Sequence, residues 1–160
     1  MNQGRLSEVA GIVYALKPGD HQAGVDMDSF KMGVAGRRAT VIIQFAALTG
    51  DAVLTVNSGA TAGTKTTAEG FKHRLAGAAQ GSASADQFGD RSAEVTSLTL
   101  TAATYANKTL LLEIEPGDLT EGQQWVTVAL SDAADALNAS AVAILTDGRY
   151  QADDVPTAIA

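Results

Sequence analysis

Four stretches of this chain alternate between two kinds of residue with a period of two, and a fifth is apolar throughout. No stretch holds a helical period for long. This pattern constrains the fold more than any other feature, because side chains on a strand point to opposite faces in turn. In TVIIQFAAL (40–48), Val41, Ile43 and Phe45 share one face and Gln44 lies on the other. In SLTLT (97–101), Leu98 and Leu100 point one way and three hydroxyl residues the other. In TLLLEIE (109–115), Leu110, Leu112 and Ile114 face in, while Glu113 and Glu115 face out. In WVTVALS (125–131), Val126, Val128 and Leu130 alternate with Trp125, Thr127 and Ala129. The run AVAILTD (141–147) is apolar on both faces, which predicts a central or covered strand.

Turn residues punctuate these runs at Leu48–Asp51, Asn57–Gly59, Tyr105–Lys108 and Pro116–Asp118. The spacing predicts an all-β chain: an antiparallel β-sandwich of about eight strands with little helix. A helix of one or two turns is expected in SDAADALNAS (131–140), capped by Ser131 or Asp132. In TAEGFKHRLAGAA (67–79), Phe71, Leu75 and Ala78 have helical spacing, but Gly70 and Gly77 interrupt it. That segment reads as strand or irregular structure.

At 160 residues the chain is sized for a single domain. We read residues 1–24 as an N-terminal strand or arm, 25–150 as the sandwich body and 151–160 as a tail. Residues 17–25 and 77–92 are expected to be flexible, the latter carrying the exposed-looking Phe88. Aromatic residues make up only 5% of the chain, so the core must rest on Val, Ile, Leu and Ala. There is no cysteine, which excludes disulfides, thiolate zinc sites and cysteine nucleophiles. The formal charge of −7 opposes binding to nucleic acid or anionic lipid unless charge is segregated, and the basic residues are scattered. No run approaches the ~20 apolar residues that span a bilayer. Met1–Leu16, with Glu8 inside it, does not read as a secretory signal, so the sequons at Asn107 and Asn138 carry no weight.

One motif invites a chemical reading. An apolar run, AVLTV, leads into VNSGATAGTKT (56–66), as a strand leads into a phosphate-binding loop. Gly59, Lys65 and Thr66 fit that pattern, but Thr64 stands where the second glycine belongs. The following residues, with Gly70 among them, make a poor helix start. We therefore expect a Gly-rich turn joining two antiparallel strands, with Lys65 solvated. His21 and His73 lie in no recognisable nucleophile or metal pattern. Glu113 and Glu115 share a strand face and are candidates for acid/base work or calcium, but more simply for a solvated outer surface. Phe30, Phe88 and Trp125 are possible sugar-stacking platforms.

Four segments together carry a resemblance: GVDMDSF (24–30), ATVIIQFAALTGDAVLTVNSGATAGT (39–64), TLLLEIEP (109–116) and WVTVALSDAADALNASAVAILTDGRY (125–150). In this order they resemble small tailed-bacteriophage virion proteins of the β-sandwich head decoration, or cement, type. The match covers roughly residues 9–150. The resemblance implies a non-enzymatic structural protein with no cofactor. Its partner would be the major capsid protein of a phage head, with no nucleic acid or membrane involved. It implies a location on the virion head surface after synthesis in the bacterial cytoplasm, and a homo-oligomer, most simply a trimer. Candidate capsid or subunit contacts are Leu6, Val9, Ile12, Val13 and Phe88. The N-terminal arm either adds a strand to a neighbour or forms the first strand of its own sandwich. The alternatives are a carbohydrate- or receptor-binding sandwich, or a tail or neck component of the same virion.

Overall fold

The computed structural model describes residues 10–32, 37–146 and the short strand at 157–158. Leu6, Val9 and residues 147–150 lie outside these. The described chain forms β1 (Gly11–Asp20), β2 (Val25–Asp26), β3 (Ser29–Lys31), β4 (Arg38–Leu48), β5 (Ala52–Gly59), β6 (Thr67–Glu69), β7 (Lys72–Leu75), β8 (Ser97–Leu100), β9 (Thr109–Ile114), β10 (Trp125–Leu130), β11 (Leu137–Thr146) and β12 (Thr157–Ala158). Eight of these strands have four residues or more. One helical turn, α1 (Ala102–Tyr105), and a 3-10 turn at Pro116–Asp118 complete the described elements.

The strands build two antiparallel sheets packed face to face. The first runs β1-β11-β4-β9-β7. The second runs β12-β3-β10-β5-β6, with β2 also pairing β10 and β8 also pairing β5. Apart from the β2–β3 and β5–β6 links, each connection between successive strands crosses from one sheet to the other. The all-β antiparallel sandwich is the fold that the alternation predicted.

The inward positions are those the sequence nominated. Val41, Ile43 and Phe45 of β4, Leu110, Leu112 and Ile114 of β9, and Val126, Val128 and Leu130 of β10 are all buried. The inner face of β11 is Leu137, Ala139, Ala141, Ala143 and Leu145, all buried, with small alanines at its middle positions. Phe30, Phe45 and Phe71 fill the space between.

Two local readings change, and that of the 67–79 segment as strand or irregular structure is sharpened. Residues 131–136 are a turn, not a helix. Asp132 Oδ1 accepts from the Ala134 N–H at 2.6 Å, and Ala134 takes a φ of 59°. The aspartate closes an Asx turn where a helix cap was expected, and the period-two burial of β11 begins at once with Leu137. The 67–76 segment is strand, split between the sheets: β6 lies in the second, β7 in the first, and buried Phe71 sits at the corner. Residues 77–92 do not hang free. Gly89 N–H donates to Leu75 O (3.0 Å), Ser92 N–H to His73 O (2.9 Å), and Gln80 N–H to Asn107 O (2.7 Å). This segment runs beside β7 and covers that edge of the first sheet.

The N-terminal strand question has an answer for residues 11–20. They form β1, paired antiparallel with β11 from Gly11↔Leu145 to Asp20↔Asn138. The outer edge of β1 is blunted. The ladder shifts register between Tyr14 and Leu16 and again before Gly19, Pro18 lacks an N–H, and Asp28 N–H donates to Ala15 O at 2.9 Å.

Candidate interaction face

The glycine loop between β5 and β6 is a hairpin. Val56, Asn57 and Ser58 pair with Glu69, Ala68 and Thr67. Thr64 Oγ1 donates to Thr61 O at 2.6 Å, closing the loop on itself. A Cβ on Gly59 would lie 1.9 Å from Thr64 Oγ1. The threonine that breaks the phosphate-loop pattern is thus the residue that fills the space over Gly59. The Gly63 N–H points inward, donating to Ser29 Oγ at 3.0 Å, and Ser29 in turn meets Thr127 Oγ1 at 2.7 Å. Lys65 is not simply solvated: its Nζ pairs with Asp26 Oδ1 at 2.7 Å. The expected turn between antiparallel strands is present, anchored by its own hydroxyls and one ion pair.

The carboxylates of β9 are also occupied. Glu113 pairs with Arg91 and has Arg74 Nε at 3.3 Å, a charge contact without hydrogen-bond geometry. Glu115 meets Arg38 Nε at 2.8 Å and Arg91 at 3.4 Å. The result is a charge ladder, Arg74–Glu113–Arg91–Glu115–Arg38, around a recess of about 360 Å³ that Thr40 and Thr146 also line. Among the described residues no group of three acidic or histidine side chains is placed to hold a metal ion. His21 turns back on Lys17 O, with its Nε2 at 3.1 Å. His73 is half-buried beside Phe71, its Nδ1 without a hydrogen-bond partner, and burial holds its pKa below the ordinary 6.5.

A buried polar cluster ties the 119–124 loop to the second sheet. Glu69, only 5% exposed, accepts from Ser58 Oγ and from the Thr120 N–H at 2.8 Å. Ser58 Oγ also lies 2.7 Å from the Gln123 amide, whose other end reaches Thr67 Oγ1 at 3.0 Å. One hydroxyl has one proton. With the amide turned so that its NH₂ faces Ser58, every member is satisfied in a single donor chain from Thr67 to Glu69. This accounts for a buried carboxylate by structure alone.

The aromatic platform does not assemble. Phe30 is in the core, Trp125 lies on the second sheet and half-buried Phe88 bridges Ala76 beside β7 of the first. The three share no face.

The outer faces of the two sheets differ. On the second sheet, Thr55, Asn57, Ala68, Ser97 and Thr99 share the outer face with exposed Val53 and half-buried Trp125. On the first sheet, register aligns two rows across the strands. One row is Tyr14, Val142, Ile42, Leu111 and Arg74; the other is Ile12, Ile144, Thr40, Glu113 and Lys72. Six adjoining apolar side chains therefore sit on the outside of this sheet. Ile12 is 54% and Tyr14 59% exposed; the other four are partly exposed. A contiguous apolar patch outside a sandwich marks an interaction surface, whereas single exposed apolar residues do not.

Of the residues nominated from sequence, the structure brings Ile12 to this patch. It corrects Val13, which alternation turns into the core at 3% exposure. Phe88 lies beyond the opposite edge of the same sheet, and Leu6 and Val9 fall outside the described residues. Sequence reasoning missed Tyr14, Ile42, Leu111, Val142 and Ile144. The usable signal was apolar residues at the outward positions of three alternating runs. Compared with protein-family models, with curated proteins and with solved structures, the chain matches none.

Proposed function

We propose that this protein is a structural virion component that binds an assembled phage capsid and stabilises it, as a head decoration protein does. The observation that carries the reading is the apolar outer face on a sandwich whose first-sheet edges are covered or blunted: its surface is built for association. The ordered resemblance over residues 9–150 supplies the phage-head context. The chemistry of the described charged groups supports it, since Glu113, Glu115, Asp26 and Lys65 sit in ion pairs that serve the fold. A protein that binds the lattice but not its dissociated parts stabilises it by mass action, and oligomerisation multiplies weak contacts. The test is to heat or dilute heads with and without the purified protein. Heads carrying it should release DNA at a higher temperature. Equal melting, with no labelled protein on the particles, overturns the reading.

A further inference from the structure

We infer that the outer face of the first sheet is the contact between two copies of this chain, packed sheet face to sheet face. Three observations point to a second copy. The first is how the edges are finished. The β7 edge is covered by residues 87–95 and the β1 edge by Asp28, two register shifts and Pro18, so strand addition is obstructed while the face stays open.

The second is charge. The chain carries −7, so two copies repel over most of their surface. Around the β4–β9–β7 end of this face the charged groups are Arg38, Lys72, Arg74 and Arg91 against Glu113 and Glu115, and all but Lys72 join one ladder. Acidic copies approach here with least repulsion. On β1, β11 and β4 the rows are also self-complementary, as a two-fold contact requires. Turned over about an axis lying between them, Tyr14 and Val142 stack on Ile12 and Ile144 of the copy and Ile42 on Thr40, whereas Leu111 meets Glu113 and Arg74 meets Lys72, so the contact centres on the β1–β11–β4 end.

The third is size. β1, β11, β4, β9 and β7 have 10, 10, 11, 6 and 4 residues. At ~3.4 Å per residue and ~4.8 Å between strands their face projects to roughly 650 Å². A standard protein contact buries about 800 Å² per partner, so a copy covering this whole face and its rim comes close to that size. Two sheets packed in this way lie about 10 Å apart.

The inference draws on the same face as the capsid reading, but its test uses the free protein without heads, so the two fail separately. Sedimentation velocity on the full chain at tens of micromolar should give twice the 16.4 kDa chain mass, in ~0.15 M and in ~1 M salt, since an apolar contact is little screened. Tyr14→Glu with Val142→Thr should raise the dissociation constant at least about tenfold, while Val53→Thr on the other sheet leaves it unchanged. Circular dichroism reports whether each variant is folded. A second measurement uses the cysteine-free background: Ile42→Cys should be linked to its copy by a short bismaleimide, and Val53→Cys should not. A monomeric parent, a dimer lost at high salt, or face variants that dimerise like the parent would each overturn the inference. A monomer whose Tyr14→Glu/Val142→Thr variant loses head binding would instead give the face to the capsid.

Discussion

His73 shows how a single side chain is governed by where its strand delivers it. Its partner across the ladder is Leu112, a fully buried residue, so the imidazole is carried toward the core. Desolvation disfavours the charged ring and lowers its pKa from 6.5. The folded state therefore binds fewer protons than the unfolded chain just below that value. Stability contributed by the neutral ring is fully present above pH 6.5, falls as pH drops through it, and levels off below the lowered folded pKa. We expect the urea midpoint to fall between pH 7.5 and 5.5, and His73→Gln to flatten that fall. Parallel profiles for parent and variant would refute the assignment. His21, common to both proteins, cancels in the comparison. Ser58 and Glu69 make the complementary point: a carboxylate is tolerated in a closed interior because each donor around it has a defined direction.

Elements here depend on one another through their turns. The turn between β4 and β5 contains Gly50, and a Cβ there would lie 2.0 Å from the backbone carbonyl oxygen of Ala133. That oxygen belongs to the Asx turn leading into β11, so the two turns interlock. Gly50→Ala should cost about 1–3 kcal/mol through overpacking against backbone that cannot yield. Gly117→Ala, where a Cβ meets nothing within 4 Å, should stay within about 0.5 kcal/mol. Chemical denaturation of both variants checks this, and similar midpoints would show that the turns are not locked. The same dependence explains what the sequence could and could not reveal. β4, β8, β9 and β10 are legible because alternation is local, and their inward residues follow directly, whereas β11 was legible only as an apolar run. Residues 131–136 misled because Ser131 and Asp132 cap turns as readily as helices. The apolar face was legible only as separate oddities: Ile42 and Leu111 at outward positions, and a β11 run apolar on both sides. Their union depends on the β1–β11–β4–β9 register, which is set by pairings remote in sequence.

For the molecule as a whole, the first strand is also structural. β1 contributes Val13, Ala15 and Leu16 to the core and covers the β11 edge. Burial of a large apolar side chain is worth roughly 1.5–3 kcal/mol, and domains are stable by only about 5–15 kcal/mol. Deleting residues 1–16 should therefore abolish the cooperative thermal transition followed by circular dichroism. A truncated protein melting within a few degrees of the parent would show that β1 is an appendage.

The interposition of β11 between β1 and β4 has a consequence for synthesis. The five strands that display the apolar rows are gathered from residues 12 to 144, and their order in space is not their order of emergence from the ribosome. While residues 137–146 are still being made, β1 has no neighbour and Ile12 and Tyr14 have nothing to align with. Folding of this sheet must wait until residues 137–146 have emerged, unlike a domain that closes from its N-terminus during translation. The face thus certifies that β11 has been made: a fragment abandoned before residue 137 cannot present it, and pairing with another molecule begins only after that strand has emerged.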